Sequence, residues 1–145
     1  MAQTLNIYSK FLNSLTFKEV NLNTDELKIM LLSSAYTPNV DTQQYKSDIT
    51  GEVTGAGYTA GGETLTNIQF TIINKVATLS ADNPSWSDIN VDNLRYAVLY
   101  DNAPLQDSQK PLIAYIDFGE SLSIANAIFE IIWNAEGIFK ISIRV

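Results

Sequence analysis

The chain has 145 residues, 46% hydrophobic and 17% charged, enough apolar material to bury the core of one ordinary domain. Sixteen acids against nine bases give a net charge of −7 with no Lys/Arg cluster, which disfavours a phosphate-backbone partner. Histidine and cysteine are both missing, so Ser-His and Cys-His nucleophiles and zinc or iron sites built from imidazole or thiolate are excluded.

The first predicted element is a helix over residues 4–16. Thr4 is placed to cap it, and Leu5, Tyr8, Leu12 and Leu15 recur at steps of three and four. Ile7 and Phe11 widen that stripe, so the helix is expected to lie on a core. The same N-terminal stretch, "MAQTLNIYSKF", lacks the basic-then-apolar pattern of a signal peptide. No run reaches the ~18 apolar residues of a membrane span, so no membrane partner is expected.

"NLNTDE" (21–26) breaks the helical period with turn formers. Beyond it, runs rich in Ile, Val, Leu, Tyr and Phe predict strands at 27–34, 65–73, 75–80, 95–101, 111–118, 127–133 and 138–144. Asn74-Lys75 is the expected tight turn between two of them. The fold class that follows is mainly β: a single domain over 1–145, a β-sandwich or barrel of about seven strands with one N-terminal helix. "KIMLLSS", "PLIAYIDF" and "FEIIW" are apolar at nearly every position, which predicts strands covered on both faces by the helix, a long loop or another subunit. Residues 35–64 form that long loop, well beyond the ~12–15 residues at which structureless connections become uncommon and usually functional.

Five of the seven glycines fall within this loop, in "GEVTGAGYTAGG" (51–62). "GAGYTA" (55–60) matches a relaxed dinucleotide fingerprint, but a β-rich run follows it instead of the helix that would hold a pyrophosphate. The glycines are therefore read as positions of positive φ and close chain approach, with Tyr58 as an anchor or exposed contact. Asp82, Asp88 and Asp92 lack EF-hand spacing and read as turn residues at strand ends, with Trp86 among them as a packing residue. Asp101, Asp117, Glu120 and Glu130 are the carboxylates from which a glycosidase pair would be drawn. "DFGES" matches the kinase magnesium triplet by letters alone. No catalytic residue, cofactor or metal ligand is assigned, and the chain is read as not an enzyme.

In order along the chain, "SSAYTPNVDT", "SDITGEVTGAGYTAGG", "NPSWSD", "RYAVLYD", "PLIAYIDFGE" and "WNAEGIFKI" resemble a type of small protein encoded among the structural genes of tailed bacteriophages. The likeness runs from about residue 5 to 141. It implies a β-rich virion component, a head decoration or cement protein, located on the capsid surface and assembled in the host cytoplasm. The implied partners are the phage major capsid protein and further copies of the chain, with no nucleic acid. Tyr36, Tyr45, Gly57, Tyr58 and Gly61 are the candidate interface residues. The alternative is a tail or fibre component that contacts host glycans or other tail proteins through Tyr36, Tyr45, Tyr58 and Trp86.

Overall fold

Residues 4–144 are described by the computed structural model. Among them run β1 (Thr4–Ile7), α1 (Lys10–Thr16), β2 (Leu27–Ser33), β3 (Glu63–Thr64), β4 (Gln69–Ile73), β5 (Val76–Ser80), β6 (Ser85–Asp101), β7 (Leu112–Glu130) and β8 (Phe139–Ser142). They form two antiparallel sheets, ordered β1-β7-β6-β2-β3 and β4-β5-β8. The mainly-β, two-sheet architecture with one N-terminal helix matches the class expected from the sequence.

The helix is shorter than its periodicity predicts. Residues 4–7 are a strand instead, with Leu5, Asn6 and Ile7 opposite Ile116, Tyr115 and Ala114 of β7. Pairing with β7 overrides a helical pattern, because a sheet position satisfies the same backbone groups and also packs the partly buried Leu5 against the core. The helix opens after Ser9, whose side chain makes no capping bond, and the expected cap position, residue 4, lies in β1 instead. Phe11 points into the core, whereas Leu12, part of the expected stripe, is 58% exposed.

The largest departure is the length of β6 and β7, 17 and 19 residues, paired as one hairpin. "DNPSWSDINVDN" reads as a loop, yet most of it is strand. Its turn-forming residues are absorbed as β-bulges. Asp88 (φ 53°), Asn93 (φ 56°) and Asn126 (φ 49°) each lie at a register shift, as the extra residue with no partner across the ladder. Asp and Asn tolerate the left-handed region that such an extra residue takes, so they bend and twist the ribbon without ending it. The expected strand 127–133 is the end of β7 as far as Glu130, and 65–73 contributes β4 only from Gln69. The Asn74-Lys75 turn is as expected, with both residues at positive φ (51° and 66°), the pattern of a two-residue hairpin.

Register sorts the five-stranded sheet into two buried faces. Ile29, Leu31, Ala97, Leu99, Ala114 and Ile116 share one, with Phe11 of the helix and Leu79 and Phe139 of the small sheet in the same core cluster. Phe11 and Phe139 meet edge to face at 5.9 Å. Met30, Leu32, Val98 and Tyr100 line the opposite face, covered by Tyr8, Tyr36, Val40 and Ile49. "KIMLLSS" and "PLIAYIDF" are thus covered on both sides, the second by the long loop. "FEIIW" is not: Ile132 is 63% exposed.

Candidate functional site

The glycine-rich segment lies along the free edge of β2. Ser33 donates to the Gly51 carbonyl (2.7 Å) and Val53 to that of Leu31 (3.1 Å), so residues 51–53 extend the ladder before the chain turns out and returns as β3. The return needs glycine where backbones nearly touch. At Gly62 (φ +84°) a Cβ would fall 1.9 Å from the Ile29 carbonyl oxygen. At Gly57 (φ +78°) it would fall 2.6 Å from the Asp88 carbonyl oxygen and 2.8 Å from the Ile89 Cα. The glycines are shaped backbone, and they lead into a strand, not a helix.

Glu52 joins the pieces of this loop. Its Oε2 accepts from the Tyr58 hydroxyl at 2.5 Å and from the Gly61 N–H at 2.7 Å. The Tyr58 hydroxyl also accepts the Leu31 N–H (3.1 Å), and the Tyr100 hydroxyl donates to the Gly61 carbonyl (2.6 Å). Burial and the carboxylate beside it raise the Tyr58 pKa, so the phenol stays a donor. Tyr58 is therefore an anchor more than a contact. Sequence reading singled out Tyr58 and Gly61 but missed Glu52, which in "GEVTG" carries no local signal of a partner six residues on.

The other candidate residues scatter. Tyr36 is buried on the opposite face of the sheet, where its hydroxyl donates to Gln43 (2.6 Å) and accepts from Tyr8 (2.6 Å). Burial pushes its pKa up to about 12. Tyr45 is half-buried, bridged to Pro111, and donates to Glu19 at 2.9 Å. Trp86 is buried against Phe129, with ring centroids 5.9 Å apart. Three of the four loop aromatics thus turn their rings inward and form no common platform.

The carboxylates do not converge either. Asp101 and Glu130 belong to opposite ends of the β6–β7 hairpin. Asp117 is gripped by Arg95 through Nε (3.1 Å) and Nη2 (3.3 Å) and accepts the Gly119 N–H (2.8 Å), which holds its pKa below the usual range. Asp101 is fully buried. Burial and the neighbouring Asp25 carboxyl push it up to about 8, against the pull of the Ala103 N–H at 2.9 Å. Asp82 accepts from Thr66 (3.1 Å) and Asn67 (3.3 Å), as an Asp in a turn does. Among the described residues, no three His, Cys, Asp or Glu side chains group as a metal site.

Two surface features remain. The first is an open groove of about 520 Å³ beside β1 and the 132–140 segment, lined by Leu5, Ile116, Ile132 and Trp133 together with Asn134 and the Glu136–Lys140 ion pair. The second is the outer end of the small sheet, where Ile72, Ile73 and Ile143 are 70%, 68% and 67% exposed. Neither was singled out in the sequence, where these isoleucines read as ordinary strand interior. No family model matches the chain, nor does any curated protein or solved structure.

Proposed function

We propose that the chain is a structural protein of a tailed-phage virion that decorates the assembled head and stabilises it. The observation that carries the reading is the surface of the small sheet. Ile72, Ile73 and Ile143 stand together in solvent there, on a strongly acidic protein. An apolar surface of this kind supports association. The ordered resemblance to phage structural proteins supplies the kind of partner, the major capsid protein. The inward turn of Tyr36, Tyr58 and Trp86 weighs against the alternative of a glycan-contacting tail component, because stacking on a sugar needs exposed rings.

Purified virions separated into heads and tails test this, with the protein located by mass spectrometry. The expected result is enrichment in heads, with decorated heads surviving heat that disrupts undecorated ones. A chain confined to tails, with equal heat resistance of both kinds of head, overturns the reading.

A further inference from the structure

The small sheet has one unprotected edge. β5 turns one set of backbone groups to β8, since the Lys75 and Leu79 carbonyls accept the Ile143 and Ile138 N–H groups (2.9 and 2.7 Å). Its other set, on Val76, Thr78 and Ser80, therefore faces β4 and bonds Ile73, Thr71 and Gln69. Phe70 and Ile72 are left with N–H and C=O pointing outward, and among the described residues no other segment bonds them there. Every residue of β4 is exposed. The strand carries no charge, proline or bulge, the devices that blunt a natural edge, whereas β8 at the opposite edge carries Lys140.

This edge is complementary to itself. Antiparallel pairing with a second β4, centred on Thr71, sets Phe70 of each strand opposite Ile72 of the other. The four outward-pointing residues then bond one another and none is left over. Phe70 shares a face with Leu79 and Phe139, and Ile72 with Ala77 and Ile141. The same register therefore joins apolar rows end to end: Phe139, Leu79 and Phe70 of one copy run into Ile72, Ala77 and Ile141 of the other. An aromatic and a β-branched side chain meet at each join. Charge agrees with this pairing. It lays the tip of each small sheet on the base of the other, which brings Lys75 toward the 66–67 turn, where Asp82 accepts from Thr66 and Asn67. Neither Lys75 nor Asp82 has an ion partner within its own chain among the described residues.

We propose that two copies of the chain pair through β4 into a symmetric dimer with one continuous six-stranded sheet. A contact of this kind uses the same edge on both copies, so it closes at two. It goes beyond the capsid assignment and needs no capsid.

Sedimentation of the purified chain at rising concentration tests it. A five-residue strand buries little surface, so the expected result is a weak dimer, forming in the micromolar range and growing no further. Thr71→Lys puts like charges on the two-fold axis and leaves the bonds to β5 in place. It should weaken the dimer by roughly tenfold or more, with the circular dichroism of the wild type. The chain has no cysteine, so cross-linking can read the register. Thr71→Cys sets two thiols on directly opposed residues, whose Cα atoms lie ~4.5 Å apart in such a pair, and mild oxidation is expected to link them. Gln69→Cys lies four residues from its equivalent, about 13 Å along the strands, and should stay unlinked. A wild type that is monomeric at every concentration overturns the proposal, even if β4 accepts a strand from another protein. So does a dimer indifferent to Thr71→Lys, or equal cross-linking of the two cysteine variants. A chain that dimerises in this way yet is absent from heads leaves this contact standing and overturns only the capsid assignment.

Discussion

The Tyr58 hydroxyl lies 2.5 Å from the Glu52 carboxylate, and through that pair a glycine-rich turn is fastened to the edge of a buried strand. The pair sits among the Leu31 N–H, the Gly61 N–H and the Tyr100 hydroxyl, so each partner satisfies groups that the fold has withdrawn from water. Removing the phenol oxygen strands the Leu31 N–H and one side of the carboxylate. Tyr58→Phe is therefore expected to destabilise by about 1–3 kcal/mol. Glu52→Gln, which keeps the shape but loses the charge-assisted bonds, should cost less. Urea denaturation of the two variants checks the order, and a Tyr58→Phe protein as stable as wild type removes the anchoring role.

Gly62 closes the same turn against β2. A Cβ there would overlap the Ile29 carbonyl oxygen at 1.9 Å, and the φ of +84° is costly for any L side chain. Gly62→Ala is expected to destabilise by more than ~1 kcal/mol, because neither backbone can yield without opening the β2–β3 pairing. The measurement is the denaturation midpoint. A variant within error of wild type shows that the turn relaxes freely.

Asp101 makes stability depend on pH. In the folded chain its carboxyl keeps a proton up to about pH 8, whereas unfolding returns it to its ordinary value of 3.8. Between those values the folded state binds more protons, so its stability is full below about pH 4 and falls as pH rises toward 8. The slope from this group is at most about 1.4 kcal/mol per pH unit. Asp117, held low by Arg95, acts oppositely and only in more acid solution, where its contribution is lost as pH falls. Asp101→Asn keeps an acceptor for the Ala103 N–H and removes the titration. It is expected to flatten the profile between pH 5 and 8 and to be the more stable protein at the alkaline end. A wild-type stability that is flat across that range, measured by urea denaturation, refutes the assignment.

The class of fold was legible because alternating and continuous apolar runs survive any local irregularity: "KIMLLSS" and "PLIAYIDF" specify buried strands wherever the chain places them. The N-terminal helix was over-read because Leu5 and Ile7 fit either period, and only the open edge of β7, distant in sequence, decides between them. The far half of the β6–β7 hairpin was hidden for the opposite reason. Asp88, Asn93 and Asn126 are turn residues by local preference, and only the partner strand makes them bulges. At the site, the glycine loop was legible as backbone geometry because glycine has few other uses at such density. Its fastening to Glu52 and the exposure of Ile72 and Ile143 were not, since both depend on where distant strands end.

That hidden half of the hairpin yields the last expectation. β2 ends opposite Leu94, so the ribbon from Ser85 to Asn93 has no sheet neighbour on that side. The glycine loop takes its place: Asn90 donates to the Ala56 carbonyl (2.8 Å), and Gly57 rests on the Asp88–Ile89 backbone. Beneath that contact lie Trp86, Ile89 and Val91, all buried. A valine at Gly57 would need a φ that β-branched residues avoid and would collide with the Asp88 carbonyl, so the loop must lift. Gly57→Val is therefore expected to cost ~1 kcal/mol or more and to loosen this region before the rest. Amide hydrogen exchange distinguishes that from general destabilisation. The Asn90 amide should exchange faster in the variant, while the amides of Met30 and Leu32, on the β6 side of β2, keep their protection. Equal acceleration at both places would mean that the loop is bound into the whole sheet and does not act as a separate cover for the hairpin's outer half.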